Sequence, residues 1–389
     1  MERIQDMRGD QSTEADDPEF GVPADSLGPE RVLELRARLL AWFAEEAREL
    51  PWRRTDDPYA IWVSEAMLQQ TQVATVIDYW YRFLKRFPSV GDLARADDDS
   101  LMGVWSGLGY YSRARNLRKA ASIIVEQYGG RFPRHREEAL GLPGVGRYTA
   151  GAVLSIAYDL PEPLVDGNVA RVFARLFALD DRLGSSALES TLWKIAERLV
   201  PTESSGPDGP GAWNQALMEL GAVLCSPREP RCLLCPVQTL CSARERGLER
   251  ELPRPKLRPK TIEVEVEVAL VRDGERLLLY RRPDSGRMPG MWELPTREVA
   301  TDGGVPLLWP DAWPAPGLEP GEILGRAKHG ITKHRITARL REASFHAPGG
   351  VVDPRSGLAW VPINDLANRG LTGMTKKLLR SRAGGGLGV

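Results

Sequence analysis

Ala139-Leu-Gly-Leu-Pro-Gly-Val-Gly-Arg-Tyr-Thr-Ala150 joins two helical patterns, and its reading decides the fold. A short charged run, Arg136 to Leu140, stops at Pro143-Gly-Val-Gly146, and an apolar helix is expected from Thr149 to Ala157. Gly144 and Gly146 carry no Cβ, so backbone there can come close to a ligand. The turn feeds a helix N-terminus, where unpaired N–H groups and the positive end of the helix dipole favour an anion such as a DNA phosphate. A plain helix–turn–helix corner would read the same way, so the neighbouring sequence must decide.

The composition narrows the field. A chain of 389 residues exceeds one ordinary core, and two domains are expected. With 42% hydrophobic and 27% charged residues it reads as a soluble globular protein. It shows neither an apolar run of spanning length nor a signal-peptide pattern, so no membrane partner and a cytoplasmic location are expected. The net charge of −1 conceals an uneven spread: residues 1–30 hold nine acids and two bases, leaving a mildly basic body. Nucleic acid therefore stays open as a partner.

Residues 1–30 lack periodicity and are expected to be disordered, as an acidic tail. From Arg31 the pattern is helical for over two hundred residues, with helical stretches at 61–87, 92–103, 112–128, 136–140, 149–157, 168–178, 187–200 and 211–223. An all-α domain over 31–250 follows. Glu251-Leu-Pro-Arg-Pro-Lys-Leu-Arg-Pro-Lys260 opens a stiff linker, 251–261. Ile262-Glu-Val-Glu-Val-Glu-Val268 then alternates with period two, and an Asp-Gly turn before Leu277-Leu-Leu-Tyr280 predicts a hairpin. Further strands at 335–346 and 358–361 and a helix at 372–381 make 262–381 an α+β domain, followed by a frayed tail at 382–389.

The four cysteines, Cys225, Cys232, Cys235 and Cys241, have the spacing C-x6-C-x2-C-x5-C. Zinc modules pair two short C-x2-C units across a gap, whereas one compact loop of four thiolates suits a cubane [4Fe-4S] cluster. Zinc stays as the second reading. Arg228, Arg231, Arg244 and Arg246 make this loop locally basic.

Leu142-Pro-Gly-Val-Gly146, Val165-Asp-Gly-Asn-Val-Ala-Arg171 and the cysteine spacing together resemble the helix-hairpin-helix DNA glycosylases of the endonuclease III superfamily. Pro51-Trp-Arg53 and Asp57 to Val73 narrow the likeness to the MutY-type adenine DNA glycosylases, over residues 31 to 250. The resemblance implies base-excision repair: hydrolysis of the N-glycosidic bond of adenine mispaired with 8-oxoguanine or guanine in double-stranded DNA, by a monomer associated with the nucleoid. Breaking that bond through an oxocarbenium-like state needs an acid for the leaving base and an anion near the sugar.

Glu65 stands in an apolar helical stretch, where burial would raise its pKa, and the resemblance makes it the proton donor to adenine N7. Asp166 reads both as a helix N-cap and as the carboxylate that stabilises or attacks the cation, with Asn168 beside it. Superfamily members that also cleave the strand carry a Schiff-base lysine directly after the hairpin. Here Tyr148 follows Arg147, and no lysine lies between Lys119 and Lys194, so a monofunctional enzyme is expected, with Tyr148 bonded near Asp166.

The likeness also implies an adenine pocket of Trp52, Gln215 and Met218, and DNA contacts at Arg53, Gln70, Thr71, Leu108, Tyr110, Gly144, Val145 and Gly146. Gln70 and Tyr110 are the expected wedge that fills the vacated stack. Arg113, Arg115, Arg118 and Lys119 form a basic run that reads as a phosphate face or a solvated one. Residues 262–380 resemble a Nudix-like domain without its metal helix, since Thr296-Arg-Glu-Val-Ala follows Pro295, so no pyrophosphohydrolase is expected. Its lesion-reading loop aligns with Ile331-Thr-Lys333, making Thr332 and Lys333 the candidate contacts to 8-oxoguanine.

Overall fold

The computed structural model describes residues 28–203, 205–256, 260–283, 288–301, 307–346, 352 and 354–381. The predicted acidic tail, for residues 1–27, and the predicted frayed end, 382–389, lie outside these. The tail is also shorter than expected, because the first helix starts at Pro29, a favourable first helical position.

The helical domain runs α1 (Pro29–Glu46), α2 (Pro58–Leu68), α3 (Val73–Arg86), α4 (Val90–Ala94), α5 (Asp98–Trp105) and α6 (Ser112–Gln127). It continues through α7 (Arg136–Leu140), α8 (Arg147–Tyr158), α9 (Gly167–Leu176), α10 (Ser186–Leu199), α11 (Pro210–Val223) and α12 (Ser242–Glu245). The single stretch expected over 61–87 is two helices. They are parted by a turn in which Gln70 has φ +57°, a left-handed conformation that no helix continues through. The stretch at 92–103 is likewise split, with α4 capped by Ser89 and α5 by Asp97.

Helix α2 is the axis of the domain. Asp57 caps it by accepting the Tyr59 N–H at 3.0 Å, and all residues from Tyr59 to Met67 are buried. A helix apolar on every side belongs between other helices. The domain has two cores, one built on α2, α3, α5 and α6, the other on α1, α9, α10 and α11, with α8 contributing to both. At the hairpin, Gly144 is doubly required: its φ is +79°, and a Cβ there would lie 2.7 Å from Cβ of Asn116.

The predicted linker is not free of the helical domain at its start. Its first residues dock on the helical domain, where the Leu252 carbonyl accepts Arg175 Nε at 2.8 Å and Arg254 bridges to Arg182. Residues 257–259 lie outside the described set.

The second domain contains β1 (Ile262–Asp273), β2 (Arg276–Arg281), β3 (Trp292–Glu293), β4 (Thr296–Thr301), β5 (Leu318–Ile331), β6 (His334–Phe345) and β7 (Leu358–Pro362), then α13 (Gly373–Ser381). The predicted hairpin is β1–β2. The sheet order is β3-β2-β1-β6-β5, with β4 on β1 and β7 on β2, and β1 pairs parallel with β6. Alternation in β1 is explained by its two faces: Val264, Val266 and Val268 join the core beneath α13, while Glu263, Glu265 and Glu267 pair with Arg335, Arg339 and Arg341 on β6 at 2.5–2.8 Å. Strands β3, β4 and β5 were not foreseen. β5 is long but mostly exposed and holds four glycines or prolines that blur its period, namely Pro320, Gly321, Gly325 and Gly330.

Candidate active site

A cavity of about 550 Å³ opens where the two helical cores meet, and it gathers ten of the residues singled out from sequence. Trp52, Arg53, Glu65, Gln70, Thr71, Tyr148, Asp166, Asn168, Gln215 and Met218 all line it. They arrive from the short turn Pro51–Arg53 before α2, from α2 and the turn after it, from α8, the start of α9 and α11.

Glu65 is 4% exposed and its Oε2 accepts the Tyr148 hydroxyl at 2.5 Å. Burial pushes its pKa up to about 7, against the pull of that hydrogen bond, and the nearby Asp166 pushes the same way. Tyr148, expected to bond near Asp166, gives its hydroxyl to Glu65, with Met218 Sδ at 3.5 Å and Asp166 close enough to act on both groups. α8 starts at Arg147, so Tyr148 is fixed in its first turn and aims across at α2.

Asp166 is the N-cap of α9. Its Oδ1 accepts the N–H of Asn168 at 2.9 Å and of Val169 at 2.7 Å, and its Oδ2 accepts Asn168 Nδ2 at 2.9 Å. Burial still holds its pKa above the ordinary aspartate value. Capping and site geometry coexist in one residue. Asn168 in turn accepts Arg171 Nη2 at 2.8 Å, and Arg171 Nε donates to the Cys225 carbonyl at 2.7 Å. A Cβ on Gly221 would stand 2.6 Å from Cβ of Asn168, so α11 packs directly behind this pair.

Two lining residues escaped the sequence reading. Arg48 and Glu219 face each other at 2.6 Å, and Arg53 also donates to Glu219 at 2.9 Å. Those two guanidiniums hold the Glu219 carboxyl below the ordinary range despite its burial. Arg53, expected to contact DNA, is thus part of the cavity wall. The signal for Glu219 was available, since Gln215, Met218, Glu219 and Ala222 share one helical face.

Outside the cavity the other predicted residues separate. Gly144 and Gly146 are exposed, but Val145 and Leu108 bury their side chains at 5% and 6% exposure, leaving only their backbones to meet a ligand. Tyr110 projects outward at φ +47°, 53% exposed, while Tyr111 packs against the core. Of the basic run, Arg113 is buried. Its Nη1 donates to the carbonyls of Ala66, Met67 and Gln69, and its Nη2 to Thr71 Oγ1 and the carbonyls of Leu108 and Gly109. Arg118 donates to the Ala96 carbonyl and pairs with Asp98, so this run is structural rather than a phosphate face, with only Lys119 exposed.

The cysteine loop wraps from the end of α11 to α12. The four thiols are half-buried, unpaired by disulfides, and line one small space with Arg175, whose Nη1 lies 3.2 Å from Cys225 Sγ. Among the described residues no three cysteine, histidine or acidic side chains converge closely enough to share a single ion. In the second domain Thr332 and Lys333 form the two-residue turn of the β5–β6 hairpin, Ile331 pairing with His334 and Thr332 at φ +51°. They line a shallow cavity of about 360 Å³ with Lys328, His329 and Arg335.

Residues 63–198 match the HhH-GPD superfamily base excision DNA repair proteins, and residues 267–381 match the NUDIX domain. Adenine DNA glycosylase of Rattus norvegicus is 35% identical over 90% of this chain and 78% of its own length. The Homo sapiens enzyme is 33% identical over 90% of this chain and 74% of its own. Among solved structures, a thermostable thymine-DNA glycosylase superposes with a TM-score of 0.50 at 30% identity, covering 56% of this chain and 98% of that one. No helix among the described residues is long and apolar enough to cross a membrane. The chain belongs to the adenine DNA glycosylase family, within the HhH-GPD superfamily of base excision repair enzymes.

Proposed function

We propose that this enzyme excises adenine paired with 8-oxoguanine, and more slowly with guanine, from duplex DNA, and that it does not cleave the strand itself. The observation carrying this reading is the pairing of two unlike groups on one cavity. Glu65 is buried with its pKa raised to about 7, and its partner Tyr148 is a phenol at the position where the family likeness would put a strand-cleaving amine.

In this scheme adenine, flipped into the cavity, sits among Trp52, Gln215 and Met218. Glu65 gives its proton to N7 as the C1′–N9 bond breaks, and the bonding electrons leave with the base. Asp166, oriented by Asn168 and two backbone N–H groups, faces the cationic sugar and stabilises or transiently bonds it. Water adds at C1′ and its proton returns to Glu65, leaving an abasic site. Among the described residues no lysine lines this cavity, so none is placed to form an imine on the sugar.

Gln70 and Tyr110 fill the vacated stack, the backbone at Gly144 and Gly146 receives a phosphate, and Thr332 with Lys333 reads the base opposite. Cys225, Cys232, Cys235 and Cys241 would hold a [4Fe-4S] cluster. The donor set suits it: four thiols, unpaired by disulfides, line one small space. When bound, the cluster cross-links the loop behind α9.

The test uses a duplex with one adenine opposite 8-oxoguanine, examined for breaks with and without hot alkali. Breaks only after alkali are expected. Breaks without alkali would indicate a lyase, and intact strands in both lanes would remove the assignment of substrate.

A further inference from the structure

The second domain rests on the helical domain directly behind the predicted wedge. Asp99 on α5 pairs with Arg369 at 3.8 Å, and a Cβ at Gly370 would lie 3.3 Å from that of Met102. Arg115, at the start of α6, donates to the Pro289 carbonyl. Between α5 and α6 lies the loop Ser106-Gly-Leu-Gly-Tyr110, and one side chain of the second domain reaches it: Lys376 Nζ donates to Ser106 Oγ. The other side of this residue is held from within the helical domain, since the Ser106 carbonyl accepts the Tyr79 hydroxyl at 2.7 Å.

The next residue of α13 points the other way. Lys377 Nζ donates to the Lys328 carbonyl of β5 at 2.7 Å, and His329 lies against Gly373 at the start of α13. Lys328 stands three residues before Ile331 and the Thr332–Lys333 turn. One nine-residue helix therefore touches the hairpin that ends in the predicted lesion contacts and, through the adjacent lysine, the loop that ends in Tyr110. Lys376 is half-buried, and its ammonium is drawn below the usual lysine range by that burial. A charge withdrawn from water in this way is held by few partners, so its bond to Ser106 is costly to leave unmade.

We propose that Lys376 is a specificity-determining positioning residue: through Ser106 it sets the wedge loop in register with the hairpin that reads the opposite base. The inference rests on the functional reading above and adds the path by which the second domain governs excision. Displacement of the hairpin moves α13, and α13 moves Ser106, so a well-seated opposite base steadies Tyr110 in the stack.

The experiment compares single-turnover excision of adenine opposite 8-oxoguanine and opposite guanine by the full-length protein. Lys376→Met and Ser106→Ala are each expected to lower the ratio of the two rates about tenfold, the scale of a typical inter-site coupling. The double variant should fall no further than either single one, and Lys376→Arg should recover most of the ratio. Fluorescence of a 2-aminopurine beside the mispair should show weaker unstacking in Lys376→Met. Arg369→Ala loosens the same interface away from the loop and should leave the ratio intact. An unchanged ratio in Lys376→Met or Ser106→Ala, or an equal fall in Arg369→Ala, would overturn the proposal. A wild-type enzyme with no preference for 8-oxoguanine would instead remove the functional reading on which it stands.

Discussion

Glu65 and Glu219 line the same cavity, both almost wholly withdrawn from water at 4% and 1% exposure, and they titrate in opposite directions. Glu65 faces a phenol and another acid, so burial dominates and its pKa climbs to about 7. Glu219 faces Arg48 and Arg53, and its carboxyl is held below the ordinary range. Burial alone therefore does not make a proton donor. What stands opposite decides whether a hidden carboxylate keeps its proton or becomes half of an ion pair.

The sharpest way to break this contrast is Glu65→Gln. Excision is expected to drop by about 10²–10⁴-fold in single-turnover assays, while DNA binding persists. Stability should move the other way. Glu65 carries a raised folded pKa, so the fold binds its proton more tightly than the unfolded chain does and loses stability as pH rises from 4.5 through about 7. The variant lacks that loss, so its Tm should exceed the wild type's at pH 8 and match it near pH 4.5. A lower Tm at pH 8 would mean that Glu65 is charged and well paired.

Glu219→Gln tests the opposite wall. It strands two guanidiniums and should cost about 3 kcal/mol, or roughly 6–12 °C in Tm. Calorimetry showing no change would reduce this wall to a surface pair. The smallest effect is expected from Tyr148→Phe. Its hydroxyl favours the charged form of Glu65, so its loss should raise that pKa further and shift the alkaline limb of the pH–rate profile upward. A limb moving to lower pH would contradict the hydrogen-bond assignment.

Much of the helical domain was legible because its signals are local. Prolines, N-caps and apolar spacing mark α2, α9 and α11, and Asp166 could be read as cap and site together. Arg113 was not legible. A run of four basic residues looks like a charged face, and only the packing of two loops against it shows that its guanidinium satisfies five carbonyls. Arg48 escaped for a related reason, since its partner Glu219 is 171 residues away. In the second domain β1 announced itself, but β5 is mostly exposed and broken by glycines, so its period never rose above a loop's. The parallel pairing of β1 with β6 depends on chain crossing, which no local pattern encodes.

Of the six described residues other than glycine in left-handed backbone, three, Gln70, Tyr110 and Thr332, stand at turns expected to meet DNA. Each conformation costs an L-amino acid on the order of 1 kcal/mol. A glycine at any of these tips would relax the turn and harden the protein against heat. An engineer screening for thermostability alone would therefore be led to these three positions, and would strip off the side chains with which the enzyme is expected to feel its DNA.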